Sequence, residues 1–309
     1  MKKFVKVLSL SFVIMLSLLT VVFAESFVSS DVKIEYTSVT YSGKELKPKV
    51  TVSSLKQGKD YYVSYANNVN VGRGTVIVDE VNDKCAPVYK YFDITPCNIS
   101  KTKIKLKYTY ATYDGEKKQP EVTVTYNGKT LKKNKDYKVS YKNNKNTGKA
   151  TVVITGLGNF KGEAKKYFYI KPSKVLNLSV EGKTHNSISL KWDKVKGADK
   201  YRVYYKKDGK STLLKSCESN SCTVKNLKSD TVYKLEVRAV TELNDKTLYG
   251  KAGNSLSVRT KLSSNDPVYV TDKGSKYHRK NCSYIKSGKK RVTYSYALKQ
   301  GYKKCSRCF

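Results

Sequence analysis

Residues 59–78 read KDYYVSYANNVNVGRGTVIV, and residues 135–154 read KDYKVSYKNNKNTGKATVVI. The match extends upstream, where YSGKELKPKVTV from Tyr41 answers YDGEKKQPEVTV from Tyr113. The offset is 72 residues before the NGKT of the second copy and 76 after it, so a four-residue insertion in a loop accounts for the change. Inside the copies the apolar period is two. Ile104, Leu106, Tyr108 and Tyr110 alternate with polar residues, as do Val122, Val124 and Tyr126, which is the pattern of strands buried on one face. Gly43, Gly72, Gly115, Gly128 and Gly148, with the asparagine clusters at Asn67 and Asn143, mark turns that need positive φ. Each copy is expected to be a small β-sandwich, the first over residues 25–97 and the second over 98–172.

The shared pattern, YSGK followed by P-x-VTV, DY-x-VSY, NN-x-N-x-G and GN, resembles the tandem immunoglobulin-like repeats of exported and surface proteins of Gram-positive bacteria. The second copy follows it through ITGLGNFKG; the first departs at VDEVNDKCAP. After Pro172 the pattern changes. Ile188, Leu190 and Trp192 alternate, then Tyr201, Val203 and Tyr205, then Tyr233, Leu235, Val237 and Ala239, which suits a sandwich of seven short strands. Residues 173–262 resemble a fibronectin type III domain, in which Trp192 falls on the second strand and Leu227 to Tyr233 form the corner before the sixth. The loop TELNDKTLYGKAG carries no RGD, so integrin-type adhesion does not carry over. The fold class expected is all-β: tandem sandwich modules, two immunoglobulin-like and one fibronectin type III, followed by a small C-terminal α+β module over 263–309.

The N-terminus has Lys2, Lys3 and Lys6, an apolar run from Val7 to Val22, and Ala24 before Glu25. That layout is a secretory signal over residues 1–24, and the run is short for a retained span of about 20 residues. The expectation is export, with no transmembrane segment after cleavage and a secreted location associated with the cell wall or surroundings. An oxidising exterior permits disulfides. Cys85 and Cys97 are both peculiar to the first copy, the second having Lys161 and Ser173 there, so a bridge pinning the last strand of that copy is expected, against two thiols. Cys217 and Cys222 flank ESNS, a four-residue loop between predicted strands, where the spacing allows a cross-hairpin bridge.

Three cysteines and a histidine remain in the tail: His278, Cys282, Cys305 and Cys308, spaced H-x3-C and C-x2-C. Each pair can grip one ion from a single turn, and Zn2+ prefers four tetrahedral sulfur and imidazole ligands. The alternative pairs Cys282 with Cys305 or Cys308 and strands a thiol. A short helix over Ser295–Gln300, ending at Gly301, fits between the pairs. The tail, from VYVTDKGSKYHRKNCSYI to ALKQGYKKCSRC, is also similar to the Ada-like metal-binding module at the ends of secreted nucleases and competence-related proteins. That resemblance implies the same four ligands; Lys304 stands where such modules often have proline. No Asp or Glu lies between Lys273 and Phe309, so the expected zinc is structural rather than catalytic.

Catalysis finds little support elsewhere. His185 and His278 are the two histidines, and His185 sits in the polar turn KTHNS. The adjacent Asp79 and Glu80 face Thr155 and Gly156 in the second copy, which reads as an acidic turn. There is no H-E-x-x-H, G-x-S-x-G or phosphate-cradling loop.

Charge is unevenly spread. Residues 25–97 carry 9 basic and 9 acidic residues, 98–172 carry 18 and 5, 173–262 carry 19 and 9, and 263–309 carry 12 and 2. Most of the 26 tyrosines fall on alternating strand positions and are read as packing. The tail's Lys286, Lys289, Lys290, Arg291, Lys303, Lys304 and Arg307 are expected to attract polyanions; the alternative is a solvated lysine-rich face. The function expected is a non-catalytic exported binding or adhesion protein, with an anionic cell-wall polymer, surface glycan or protein as partner. The alternative is an extracellular nucleic-acid-binding accessory that uses the basic zinc module.

Overall fold

The structure, a computed structural model, describes residues 28–82, 85–285 and 287–309. The expected signal, residues 1–24, lies outside them, as does Lys286. The chain divides into two compact units, 1–97 and 98–309. Among the described residues no helix is long and apolar enough to cross a membrane.

In the first unit, strand Val32–Ile34 pairs antiparallel with Val50–Val52. Behind them lies a four-stranded sheet in the order Ser38–Thr40, Val88–Thr95, Gly72–Glu80, Tyr61–Ala66. Its core is built from the residues that the period of two assigns inward, among them Val52, Val76, Val78, Phe92 and Ile94, each at most 2% exposed. Gly74 lies directly on the Phe92 ring, and a Cβ there would collide with it.

The second copy repeats this plan. A sheet of Lys129–Thr130, Val122–Tyr126 and Lys103–Leu106 accompanies one of Tyr137–Lys142, Gly148–Gly156, Glu163–Lys171 and Tyr110–Thr112. The four-residue insertion is the hairpin turn at Asn127 and Gly128, both with positive φ as a two-residue turn requires, and the short strand that follows.

The repeated motif makes matched contacts in the two copies. Asp60 and Asp136 each accept the backbone N–H four residues back, from Lys56 and Lys132, at 2.7 Å. Tyr65 and Tyr141 donate their hydroxyls to the carbonyls of Pro48 and Pro120, at 2.8 and 2.7 Å. Asn67 and Asn143 take the left-handed backbone, at φ 53° and 56°. Asn68 and Asn144 donate side-chain N–H to Leu46 and Lys118 carbonyls. The DY-x-VSY-x-NN string is therefore a set of locks: the aspartates close the turn before the hairpin, and the tyrosines and asparagines tie the hairpin to the loop 17 to 26 residues upstream, each bond worth about 1 kcal/mol.

The fibronectin-like region has one sheet of Ser179–Lys183, Ile188–Lys191 and Ser221–Val224. The other runs Lys210–Cys217, Lys200–Lys207, Val232–Leu243, Lys246–Tyr249, with Leu256–Arg259 also on Val232–Leu243. Leu190, Val203, Leu235 and Ala239 are fully buried, and Trp192 stacks edgewise on Tyr201 at 5.2 Å between ring centres. At the corner, the backbone N–H of Lys228 donates to the Tyr233 hydroxyl at 2.8 Å.

Two expectations are corrected, and the expected Cys217–Cys222 bridge forms in a different setting. Cys85 lies in the loop before Val88–Thr95 and Cys97 just after it, so an eight-residue strand, about 26 Å long, separates them and no bridge forms. Cys217 and Cys222 are bridged, with Cα atoms 6.0 Å apart, but they join the two sheets where the chain switches between them, not a ladder across a hairpin. Asp79 and Glu80 are the last residues of a strand rather than a turn, and alternation sends their side chains to opposite faces.

Tyr233→Phe should lower unfolding free energy by about 1–2 kcal/mol, because it leaves the Lys228 N–H without its acceptor. Leu190→Ala, which opens a cavity, should cost about 2–5 kcal/mol in the same urea titration.

Candidate metal centre

The tail is a small module on a small core. Strand Pro267–Val270 pairs with Lys290–Thr293, and Lys276–Tyr277 runs parallel to Lys303–Lys304. The helix is Tyr294–Lys299, capped by the Thr293 hydroxyl on the Tyr296 N–H and followed by Gly301 at φ 77°. Val268, Val270, Tyr277 and Ala297 form the buried core.

The two parallel two-residue strands bring the donors together. His278 follows the first strand and is held by reciprocal backbone hydrogen bonds with Tyr269, at 2.8 and 2.9 Å. Cys305 follows the second, its N–H on the Tyr277 carbonyl at 3.1 Å. Each ligand pair then turns back: Cys282 N–H meets the Arg279 carbonyl, and Phe309 N–H meets that of Cys305.

The result places the His278 imidazole and the sulfurs of Cys282, Cys305 and Cys308 within 4.8 Å of one another. His278 Nδ1 is 3.3 Å from Cys282 Sγ, and the sulfurs of Cys282 and Cys305 are 4.0 Å apart. A tetrahedral ion with bonds of about 2.0–2.3 Å needs donors about 3.5–3.8 Å apart, and the donors lie close enough to that spacing to close on a central ion by side-chain shifts of about 1 Å or less. None of these sulfurs is in a disulfide, so the bridge alternative is not the state seen. Cys282 and Cys305 are 5% and 1% exposed, and the other two donors are half-buried. The cluster can hold a metal ion.

Its electrostatics suit a cation. Burial, helped by Lys276, pushes His278 below its ordinary value, which favours the neutral ligand form. Burial alone would raise the Cys305 thiol, but N–H donation from Arg307 and Cys308 with the neighbouring thiols outweighs it and brings it down. Burial and the crowding of Cys282 and Cys305 push Cys308 up to about 11. Three sulfurs in one pocket cannot all ionise without a positive charge among them, and a metal ion supplies that charge in place of protons.

Two residues that sequence reasoning missed tie this centre to the fibronectin-like region. Arg279 donates its backbone N–H to Cys308 Sγ at 3.4 Å and its Nε to the Cys308 carbonyl at 2.5 Å, and its guanidinium lies 4.2 Å over the Phe309 ring. The same guanidinium pairs with Asp230, at the corner before Val232–Leu243. Beside it, Asp266 accepts from the Ser229 hydroxyl and the Ser263 N–H, both at 2.7 Å. Arg279 adjoins a ligand in sequence, but nothing marks Asp230, 49 residues upstream, as its partner.

The remaining predicted residues fall elsewhere. Lys289, Lys290, Arg291, Lys303, Lys304 and Arg307 are all exposed on this module. Arg307 lies 5.0 Å over the Tyr284 ring, and Lys289 donates to the Lys280 carbonyl. His185 is exposed in its turn.

Residues 171–248 match the fibronectin type III family, and the fold there is that domain. Solved structures similar to parts of the chain include three consecutive domains from titin, at 15% identity, covering 74% of this chain and 97% of that one with a TM-score of 0.29. The FN1–FN3 domains of chicken CNTN1 follow at 14%, 74% and 98%, with a TM-score of 0.28. The FN5 domain of Drosophila Lar is 21% identical over 30% of this chain and 99% of its own, with a TM-score of 0.24. No curated protein matches the chain.

Burial would raise the Asp266 carboxyl, yet the Ser263 N–H and Ser229 hydroxyl outweigh it and hold it below the usual range. A carboxyl lowered by folding contributes stability above its unfolded value, and that contribution is lost as pH falls through the folded one. Limited proteolysis should therefore find the junction at residues 260–266 closed above about pH 5 and opening below about pH 4. Asp266→Asn should show the same opening at pH 7, where the Cys/His cluster is unaffected.

Proposed function

We propose that this is an exported, non-catalytic binding protein of the cell surface or its surroundings. Its β-sandwich modules act as spacers and binding faces, and its basic C-terminal modules are attracted to an anionic polymer of the envelope. A fibronectin type III domain within an all-β chain supports the spacer and binding role.

The observation that carries the reading is the surface of the tail. Among the described residues, none of Lys289, Lys290, Arg291, Lys303, Lys304 and Arg307 belongs to an ion pair, and all six are exposed. Unneutralised surface lysine and arginine attract phosphate-rich chains by releasing their counterions. The neutral first module contributes little to that attraction, and it is the part of the chain left to face other partners.

In this reading the ion is zinc, held by His278, Cys282, Cys305 and Cys308. It cross-links residues 276–282 to 303–308 and supplies folding energy to a module with few apolar groups, about 10–16 kcal/mol in small zinc domains. With all four positions taken by protein, its role is structural.

The purified protein should contain one zinc per chain by elemental analysis. Chelation should expose three further thiols to a thiol reagent, and Cys282→Ser should abolish metal retention; native protein with those sulfurs disulfide-bonded would refute the centre. In sedimentation with purified teichoic-acid-bearing cell walls, the protein should pellet at about 50 mM salt and be released at about 500 mM. Failure to pellet at low salt would remove the anchoring role.

A further inference from the structure

The second repeat carries a charged surface that the tail does not explain. In its four-stranded sheet, Phe168, Ile170, Ala150 and Ile154 point into the core. The opposite face is set by the same registers. Tyr169 stands opposite Lys149 and Tyr110, and Tyr167 opposite Thr151, which stands opposite Lys142. Lys138, Lys165 and Lys171 share this parity, giving five lysines and one carboxylate, Glu163, on one face. Among the described residues none of the five is in an ion pair.

The first repeat is a control built on the same plan. At the positions of Lys138, Lys142, Lys165 and Lys171 it has Tyr62, Ala66, Tyr89 and Thr95, and Arg73 answers Lys149. Asp79 and Asp93 stand where the second copy has Thr155 and Tyr169. The corresponding face of the first copy thus bears one basic and two acidic residues, while the interiors of the two copies match. Exposed tyrosine is common to both faces, with Tyr62, Tyr89 and Tyr91 at least half exposed in the first copy. What differs is charge.

We propose that this sheet face of the second repeat is a binding surface for an extended phosphate polymer. The proposal rests on the anionic-polymer reading above and gives it a second, separate site. Lysine is a compact point charge suited to phosphate, whereas planar bidentate capture of carboxylates favours arginine, and no arginine is present on this face. The lysines stand in lanes on strands about 4.8 Å apart, with Lys138 and Lys142 about 13 Å apart and Lys165 and Lys171 about 20 Å apart along theirs. That spread suits a long flexible chain read by charge.

The tyrosines seat the lysines instead of offering free ring faces. Lys149 lies 4.2 Å over Tyr167, and Lys171 4.5 Å over Tyr110. Lys246 of the fibronectin type III domain lies 4.3 Å over Tyr169 and donates to the Tyr110 hydroxyl at 2.9 Å, adding a sixth ammonium. Tyr110 and Tyr169 stack with centres 5.6 Å apart. With ring faces covered by cations, the surface favours a phosphate backbone over stacked bases.

The test uses the full-length protein and long-chain inorganic polyphosphate as probe. Lys138→Tyr/Lys142→Ala/Lys165→Tyr/Lys171→Thr gives the second copy the residues that the first already carries on this scaffold. It should weaken binding at least tenfold at about 50 mM salt and flatten the log–log salt dependence by about three. The Lys→Arg version at the same four positions should bind within about twofold of wild type, which controls for folding. Unchanged binding by the first variant overturns the proposal, as does binding of poly-dT in the absence of polyphosphate binding. If walls are retained but the first variant binds polyphosphate like wild type, this site falls and the function stands. If polyphosphate binding depends on the face but walls are not retained, the site stands and the wall role falls.

Discussion

A β-strand sends successive side chains to opposite faces, and the organisation of this protein follows from that constraint. Because one face is fixed by the core, a duplicated module can keep its interior and still change the charge of its surface. Val76, Val78, Phe92 and Ile94 of the first copy answer to Val152, Ile154, Phe168 and Ile170 of the second, all at most 2% exposed. The outward positions of the same sheet vary more freely, and there Tyr62, Ala66 and Asp79 answer to Lys138, Lys142 and Thr155.

The locks at the hairpin base make such divergence tolerable. The aspartate bonds in each copy are local, the tyrosine and asparagine bonds reach back 17 to 26 residues, and all satisfy backbone groups that a loop would otherwise leave open. They hold the register whatever the outer face carries, and a register slip of one residue would exchange the two faces. The fibronectin type III domain relies on a different device, the Tyr233 hydroxyl at its corner and a disulfide between its sheets.

The tail solves a different problem. Its core of four buried residues is too small to order forty-seven by itself. A four-donor cluster on two facing turns lets a bound ion add its binding free energy to folding, and Arg279 carries that order outward, through Cys308 on one side and Asp230 on the other. The module is thereby braced against the corner of its neighbour, where Ser229 and Asp266 add a second tie.

The sequence by itself determined the strand faces, the duplication, the position of the inserted hairpin, the helix of the tail and the identity of the four clustered donors. Each of those is written in a short period or a fixed spacing, so local chemistry suffices to read it. Only the tertiary structure decided which cysteines meet: Cys85 and Cys97 bracket a strand that holds them apart, a separation that counting along the chain does not reveal. It also turned Asp79 from Glu80, brought Asp230 to Arg279 across 49 residues and set Lys246 over the second repeat's tyrosines. These depend on how sheets and modules pack, and packing is a property of surfaces brought together, for which a linear pattern carries no marker.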